Sequence, residues 1–318
     1  MYKVSIIIPV YNVQKHIGRC LESIFAQECS NAEIECIIVD DCCQDDSMEI
    51  VAQKLKNYVG SIHFVIKSHS VNCGHCTARN TGLKEATGKY VRFLDSDDWL
   101  SNLDLLMSEL DRTNADVVVT AMSTVNEGTG LVTEDCKSET TGVLSSIEGS
   151  KEFNGNKLNF WCSTYKTAIL KPLYPLFLEG VSYDDSILYI VPHFCARTYI
   201  AFNFVVYNYL VGREGQSVSI STQVKKIPDM FANYYHIVSF ANNHGNGVDG
   251  FVEDVLAQNR WRMFNVIPYV KDYKQSVAYM KDLLGLGSLN HIKTKKYQRY
   301  KILPYRIFHL IESRIKNY

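Results

Sequence analysis

Three short apolar runs, two of them closed by an acidic residue, constrain the fold of this chain more than any other feature. "VSIIIPV" (4–10) leads into a turn, while "EIECIIVD" (33–40) and "KYVRFLD" (89–95) end on aspartate, and the first two are rich in β-branched side chains. A strand with almost no polar face must be covered on both sides, which is the pattern of a parallel sheet flanked by helices. The segments between the runs can supply that cover. Val13, Ile17, Cys20, Leu21, Ile24 and Phe25 fall on one face of a helix. Further helices are expected near 46–58, 76–86 and 102–112, with Asp45 or Asp46 capping the first, and further strands at 62–67 and 116–122. This alternation predicts an α/β fold, Rossmann-like, with a mostly parallel, doubly wound sheet. Ligands of such sheets bind beyond the carboxyl ends of the strands. Acids stand at two of those ends, Asp40-Asp41 and Asp95 to Asp98.

Residues 123–158 are polar and aperiodic and are expected to form long loops with at most a short hairpin. A helix is expected at 163–170, another from about Tyr183 to Pro192, and a strand at 199–211. Beyond about 225 the pattern is helical, near 229–243, 250–268, 271–284 and 303–316. The expected organisation is a catalytic domain over 1–220 and a helical C-terminal extension over 221–318. A length of 318 residues suits one large domain with an appendage.

Net charge of −1 provides no field for polyanions, so no nucleic-acid partner is expected. No apolar run approaches the roughly 20 residues of a membrane span, and "MYKVSIIIPVYN" opens as a strand rather than a signal segment. The 10 cysteines include Cys20, Cys36 and Cys195 in apolar surroundings, where a thiol acts as a small hydrophobe. That usage points to a reducing, cytoplasmic compartment.

"NCGHCTARNTG" (72–82) offers two chemistries. Cys73-Gly-His-Cys76 has the spacing of a thiol–disulfide oxidoreductase, whose helix N-terminus lowers the first thiol's pKa. The fold that uses it also sets a proline opposite the dithiol, and no proline lies between 10 and 171. Zinc finds no ligand spacing either: Cys42 and Cys43 are adjacent, no second C-x-x-C pair exists, and the nine histidines form no pattern.

The acids are the stronger signal. Asp95, Asp97 and Asp98 crowd like charges at a strand exit. Their hard oxygens suit Mg2+ or Mn2+, held by one or two carboxylates plus a substrate's phosphates. The plain alternative is a solvated turn capping the next helix. Asp40-Asp41 can accept hydrogen bonds from a base or ribose. Asp184-Asp185 stands at a helix start, where the dipole stabilises acids whatever their role.

In this order the segments resemble the family-2 inverting glycosyltransferases of GT-A fold, in particular bacterial enzymes that build surface polysaccharides. "VSIIIPVYN", "CLESIFAQ", "IECIIVDDCCQDDS", "ARNTGLKEATGKYVRFLDSDDWL", "FLEGVSYDDSILY" and "YNYLVGREGQSVS" carry the likeness over about 1–220. The resemblance implies that Pro9, Tyr11 and Asn12 belong to the loop holding the donor nucleotide. It implies that Asp41 contacts the nucleobase and that Arg79 lies near the nucleotide. Asp95, Asp97 and Asp98 match the D-x-D-type motif, one acid serving the ribose and another, Asp97 or Asp98, the divalent metal on the diphosphate. Asp184-Asp185 stands where the family usually has Glu-Asp, making Asp185 the implied general base. Cys42-Cys43-Gln44 replaces the usual Gly-Ser-Thr and removes a glycine from that turn.

The implied activity is metal-dependent transfer, with Mn2+ or Mg2+, of a sugar from a nucleotide-sugar donor, expected to be a UDP-sugar. The implied acceptor is a saccharide or lipid-linked saccharide in cell-surface polysaccharide synthesis. A non-catalytic nucleotide-sugar-binding relative is the alternative. Trp99 is expected to pack under the acidic loop, and Trp161 either to join an acceptor platform or to pack in the core. Residues 289–318 carry eight Lys or Arg against one acid, Glu312. A basic amphipathic helix at 303–316 can lie in an anionic membrane interface, keeping the enzyme peripheral at the inner face, or pack its stripe on the enzyme.

Overall fold

The computed structural model describes residues 2–26, 33–135, 138, 141–148, 160–213, 219–245 and 247–286. Two compact units divide the chain, Met1–Glu214 with Asn243–Gly245 and Gly215–Asn242 with Asn246–Tyr318.

The first unit opens with β1 (Val4–Val10), α1 (Ile17–Phe25), β2 (Ile34–Asp40), α2 (Ser47–Asn57), β3 (His63–Ser68), α3 (His75–Glu85) and β4 (Tyr90–Phe93). Every residue of β1 is buried, as a strand between two layers requires. After β4 come β5 (Trp99–Leu100), α4 (Leu103–Arg112), β6 (Val117–Asn126), β7 (Val132–Asp135), β8 (Ser145–Ser146) and β9 (Ser163–Lys166). The unit ends with α5 (Thr167–Leu170), α6 (Ile187–Cys195) and β10 (Thr198–Val211). The sheet runs β3-β2-β1-β4-β9-β6-β10-β5, with β7 on β6 and β8 on β10. Strand β1 pairs parallel with β2 and β4, and β6 parallel with β10. Because β9 is antiparallel to both β4 and β6, the two parallel blocks point the same way. Their carboxyl ends therefore share one rim, where Asp40, Asp95 and the end of β10 meet.

The expected helix at 163–170 is replaced by β9 and a four-residue helix. Strands β4 and β6 each present an unpaired edge, and buried backbone groups need partners. Ser163–Lys166 fills the gap between them, so tertiary pairing overrides the local pattern. The expected stop at Pro192 is also passed, since α6 runs on to Cys195. Proline cannot donate to the carbonyl four residues back, and the Tyr165 hydroxyl donates to that carbonyl, of Leu188, at 3.3 Å.

In the second unit, α7 (Ile220–Lys225), α8 (Ile227–His244), α9 (Gly250–Val266) and α10 (Tyr273–Gly285) bear out the helical pattern from 225 onward. Ile237, Val252, Met263 and Leu283 are wholly buried. Arg260 on α9 is buried too, donating to the Tyr234 hydroxyl at 3.1 Å and to Glu253. Among the described residues no helix is long and apolar enough to cross a membrane. The helix expected at 303–316 lies outside the described residues.

Gly88, in the turn before β4, fixes how closely that turn can approach β1. A Cβ there would sit 2.7 Å from the Ser5 nitrogen and 2.8 Å from the Val4 carbonyl carbon, both backbone atoms that cannot swing aside. Gly88→Ala is expected to cost about 1–3 kcal/mol, as overpacking does. An unchanged urea midpoint would remove this close approach from the account of the sheet.

Candidate active site

At the rim, the carboxyl ends of β1 and β2 are stitched together by their loops. Asn12 adopts a left-handed backbone (φ 50°), and its Oδ1 accepts from the Gln44 N–H at 2.8 Å. Ser47 Oγ accepts from the Val13 N–H at 2.8 Å, and Asp45 accepts from the Gln14 N–H at 3.0 Å. Pro9 is buried within β1, and Tyr11 beyond it is exposed. Cys42, where a glycine was missed, takes up the glycine-like conformation itself (φ 65°). The turn keeps its left-handed residue at the cost that a side chain pays there.

Asp41 is 2% exposed. Its Oδ1 accepts from the Cys73 N–H at 2.8 Å and lies 2.7 Å from His69 Nδ1, while its Oδ2 accepts from the Gly74 N–H at 2.7 Å. The carboxylate thus holds the start of α3, where backbone donors are otherwise unpaired.

Within α3, four consecutive residues of "ARNTG" each make a separate connection. Arg79 is buried and bridges two acids, donating from Nη2 to Asp95 Oδ1 at 2.7 Å and from Nη1 to Asp185 Oδ1. Burial opposes its charge, but the Asp95 and Asp185 carboxylates more than offset that and hold its pKa above the ordinary value. Asn80 is buried, its Oδ1 accepting from the Leu176 and Phe177 N–H groups at 3.0 Å and its Nδ2 donating to the Phe177 carbonyl at 2.8 Å. This clamps the segment that leads to Asp184 and Asp185. Thr81 Oγ1 lies 2.9 Å from His69 Nε2. Gly82 lets α3 lie against β1, since a Cβ would come within 2.3 Å of Ile7 Cγ2.

The three clustered acids have three different environments. Asp95 adds to its Arg79 bond a long contact from the Trp161 indole N–H to Oδ2, 3.4 Å. Asp97 Oδ2 accepts from Arg213 Nε at 2.6 Å, and Arg213 Nη2 lies 2.5 Å from the same oxygen. Asp98 is wholly buried, its Oδ1 accepting from the Leu210 N–H at 2.8 Å and its Oδ2 from the Tyr207 hydroxyl at 2.6 Å. Burial, then the nearby Asp97 and Asp95 charges, push the Asp98 carboxyl well above the usual carboxylate range. Asp98 therefore faces β10 and not the rim. Tyr209, stacked on Trp161 with centroids 4.9 Å apart, has its phenol pushed up to about 12 by burial and by Asp98, Asp95, Asp97 and Asp185. One ring thus feels all four acids.

A glycosyl transferase family 2 model matches residues 5–167. The chain belongs to glycosyl transferase family 2. Among curated family-2 relatives, the glycosyltransferase GlyA of Streptococcus pneumoniae is 36% identical over 131 residues, 41% of this chain and 18% of GlyA. The poly(ribitol-phosphate) beta-N-acetylglucosaminyltransferase TarS of Staphylococcus aureus is 29% identical over 222 residues, 69% of this chain and 37% of TarS. The chain thus spans well under half the length of these relatives. Its fold matches the crystal structure of S. aureus TarS 1-349 in complex with UDP-GlcNAc, with a TM-score of 0.66 and 23% identity over 89% of this chain and 80% of that one. It also matches the mannosyltransferase PcManGT of Pyrobaculum calidifontis in complex with GDP-Man and Mn2+, with a TM-score of 0.56 and 16% identity, covering 98% of this chain and 85% of that one. The fold is the GT-A α/β fold with a mostly parallel sheet.

Several residues that contact the acids at this rim are not singled out by sequence reasoning. Arg213, Tyr207 and Tyr209 lie in or just after a stretch that reads as a plain strand. Only its register shifts between Phe202 and Tyr207 and its end at the rim bring them to the acids. Trp99 is half-buried, with the Arg19 guanidinium 3.8 Å above its ring.

Asp98→Asn is expected to fold, because an amide can still accept from Leu210 and donate to the Tyr207 oxygen. A carboxyl raised in the folded state binds its proton more tightly there than in the unfolded chain. Wild-type stability should therefore decline as pH rises from about 4 through the folded pKa. The difference between wild-type and Asp98→Asn unfolding curves across that range should show this decline; a flat difference would place the Asp98 carboxyl in the ordinary range.

Proposed function

We propose that this family-2 chain is an inverting, metal-dependent transferase that moves a sugar from a UDP-sugar to a hydroxyl of a saccharide or lipid-linked saccharide acceptor. The observation that carries this reading is the double hold of Arg79 on Asp95 and Asp185. It joins the D-x-D-type loop to the segment of the implied base. The poly(ribitol-phosphate) transferases among the relatives, whose names place a sugar on a polyol phosphate polymer, support a hydroxyl of a cell-surface polymer as the acceptor group.

Asp97 fits a divalent cation. Its Oδ2 is held by Arg213, and its Oδ1 has no protein partner among the described residues. A hard oxygen at the rim, open on one side, suits Mg2+ or Mn2+ shared with diphosphate oxygens. When bound, such an ion offsets the negative charge that develops on the departing diphosphate. Asp98 serves as the tether of the loop to β10 rather than as a ligand. The resemblance assigns Asp95 to the ribose and Asp41 to the nucleobase, with Pro9, Tyr11 and Asn12 in the loop that holds the nucleotide; Asp41 also orders the 69–74 loop. Arg213 neutralises Asp97.

The acceptor hydroxyl has a pKa far above 7 and needs a base to take its proton as it attacks the anomeric carbon. Asp185 is the base in this reading, oriented by Arg79, and Asp184 precedes it in the same turn. Attack from the face opposite the leaving diphosphate inverts the anomeric centre.

Asp185→Asn should lower kcat by about 10²–10⁴-fold, the usual worth of a general base, with UDP affinity by calorimetry retained. Near-normal turnover would take Asp185 out of the mechanism. Asp97→Ala should abolish the strengthening of UDP binding by Mn2+. Equal affinity with and without metal in the wild type would remove the metal from this reading.

A further inference from the structure

Asp41, His69 and Cys73 offer a carboxylate oxygen, an imidazole nitrogen and a thiol sulfur whose atoms all lie within 4.8 Å of one another. Nothing in the spacing of these residues along the chain announces a site. The fold assembles it from the end of β2, the end of β3 and the turn into α3. Three neighbouring ligands of mixed N, O and S type suit a d¹⁰ ion of borderline softness, and do not suit magnesium.

We propose that Asp41, His69 and Cys73 bind Zn2+, and that the filled site closes the nucleobase end of the cleft. Zinc ligands at bond lengths near 2.0–2.3 Å stand about 3.3–3.5 Å apart across a tetrahedron. The His69 Nδ1 to Asp41 Oδ1 separation of 2.7 Å opens by a fraction of an ångström to admit the ion. In the metal-free chain a proton joins those two atoms. On binding, Nδ1 takes the metal and the imidazole proton moves to Nε2, which faces Thr81 Oγ1 at 2.9 Å. A ligating histidine commonly anchors its far nitrogen this way. The Cys73 thiol releases its proton to solvent as it binds. Asp41 is already fixed by the Cys73 and Gly74 N–H groups, so the carboxylate and the thiol-bearing residue are held in mutual register before the ion arrives. His69 and Cys73 are half-buried, which leaves the site a solvent route. Asp97, the implied magnesium or manganese ligand, is paired instead with Arg213, so the two ions differ in place and in chemistry.

The zinc site stands apart from the sugar-transfer reading; only its effect on UDP rests on that reading. The test uses the full chain in saturating Mg2+, titrated first with Co2+ and then with Zn2+. One equivalent of Co2+ should produce a thiolate-to-cobalt charge-transfer band that Zn2+ abolishes. Cys73→Ser should lose the band and bind Zn2+ at least tenfold more weakly, and His69→Gln should weaken it in the same direction. Cys195→Ser and Asp97→Ala should keep the band. Zn2+ should weaken UDP binding at least tenfold in the wild type and leave it unchanged in Cys73→Ser. A wild-type cobalt spectrum without the thiolate band, an equal band in Cys73→Ser, or UDP affinity indifferent to Zn2+ would each overturn the proposal. Failure of UDP to bind with or without Zn2+ would instead remove the sugar-nucleotide reading, while the cobalt band still reports on the site.

Discussion

The guanidinium of Arg79 holds Asp95, 16 residues away, and Asp185, 106 residues away, on one buried cation. A buried charge is expensive unless it is paired, and removing one partner of such a pair commonly costs several kcal/mol. The arrangement therefore commits three segments at once: the middle of α3, the acidic loop after β4, and the turn before α6. Asn80 strengthens the commitment by capturing the backbone of Leu176 and Phe177 from the neighbouring position on the same helix. A short helix packed tightly on β1 thus serves as the post to which the rest of the rim is tied.

The crowding of Asp95, Asp97 and Asp98 is resolved by giving each a different counterpart. Asp95 has Arg79, Asp97 has Arg213, and Asp98 is held by two neutral donors in a place where burial disfavours its charge. Tyr207 links two of them, accepting from the Asp95 N–H at 3.2 Å and donating to Asp98. Disfavouring negative charge on the buried member reduces the repulsion among the three. By contrast, among the described residues Arg92 beneath the rim has no carboxylate on it. It donates to Thr164 Oγ1 and the Trp161 carbonyl, and burial pulls it down to about 10. Its bond to the Trp161 backbone steadies the indole that meets Asp95.

The cysteines divide along the same line between packing and chemistry. Cys20, Cys36 and Cys76 are wholly buried, and burial pushes the Cys36 thiol up to about 12. Cys76 faces the core while Cys73 stays half-buried, so the dithiol spacing does not present two accessible thiols. Cys42 occupies a left-handed position without breaking the turn from which the family's usual glycine is missing.

The sequence by itself determined the strands, most of the helices and the acids at the strand ends, because these follow from side-chain periodicity along a local segment. The motif order also pointed to the family. Local pattern could not foresee β9, whose conformation comes from two unpaired strand edges, or the passage of α6 through Pro192, which a distant hydroxyl permits. Nor could it separate Asp97 from Asp98, since adjacent residues on one loop differ only in which way the fold turns them. The partners Arg213, Tyr207 and His69 were decided by tertiary structure alone. Strand direction and sheet order brought them to the rim, and charge and hydrogen bonding then selected which atoms meet.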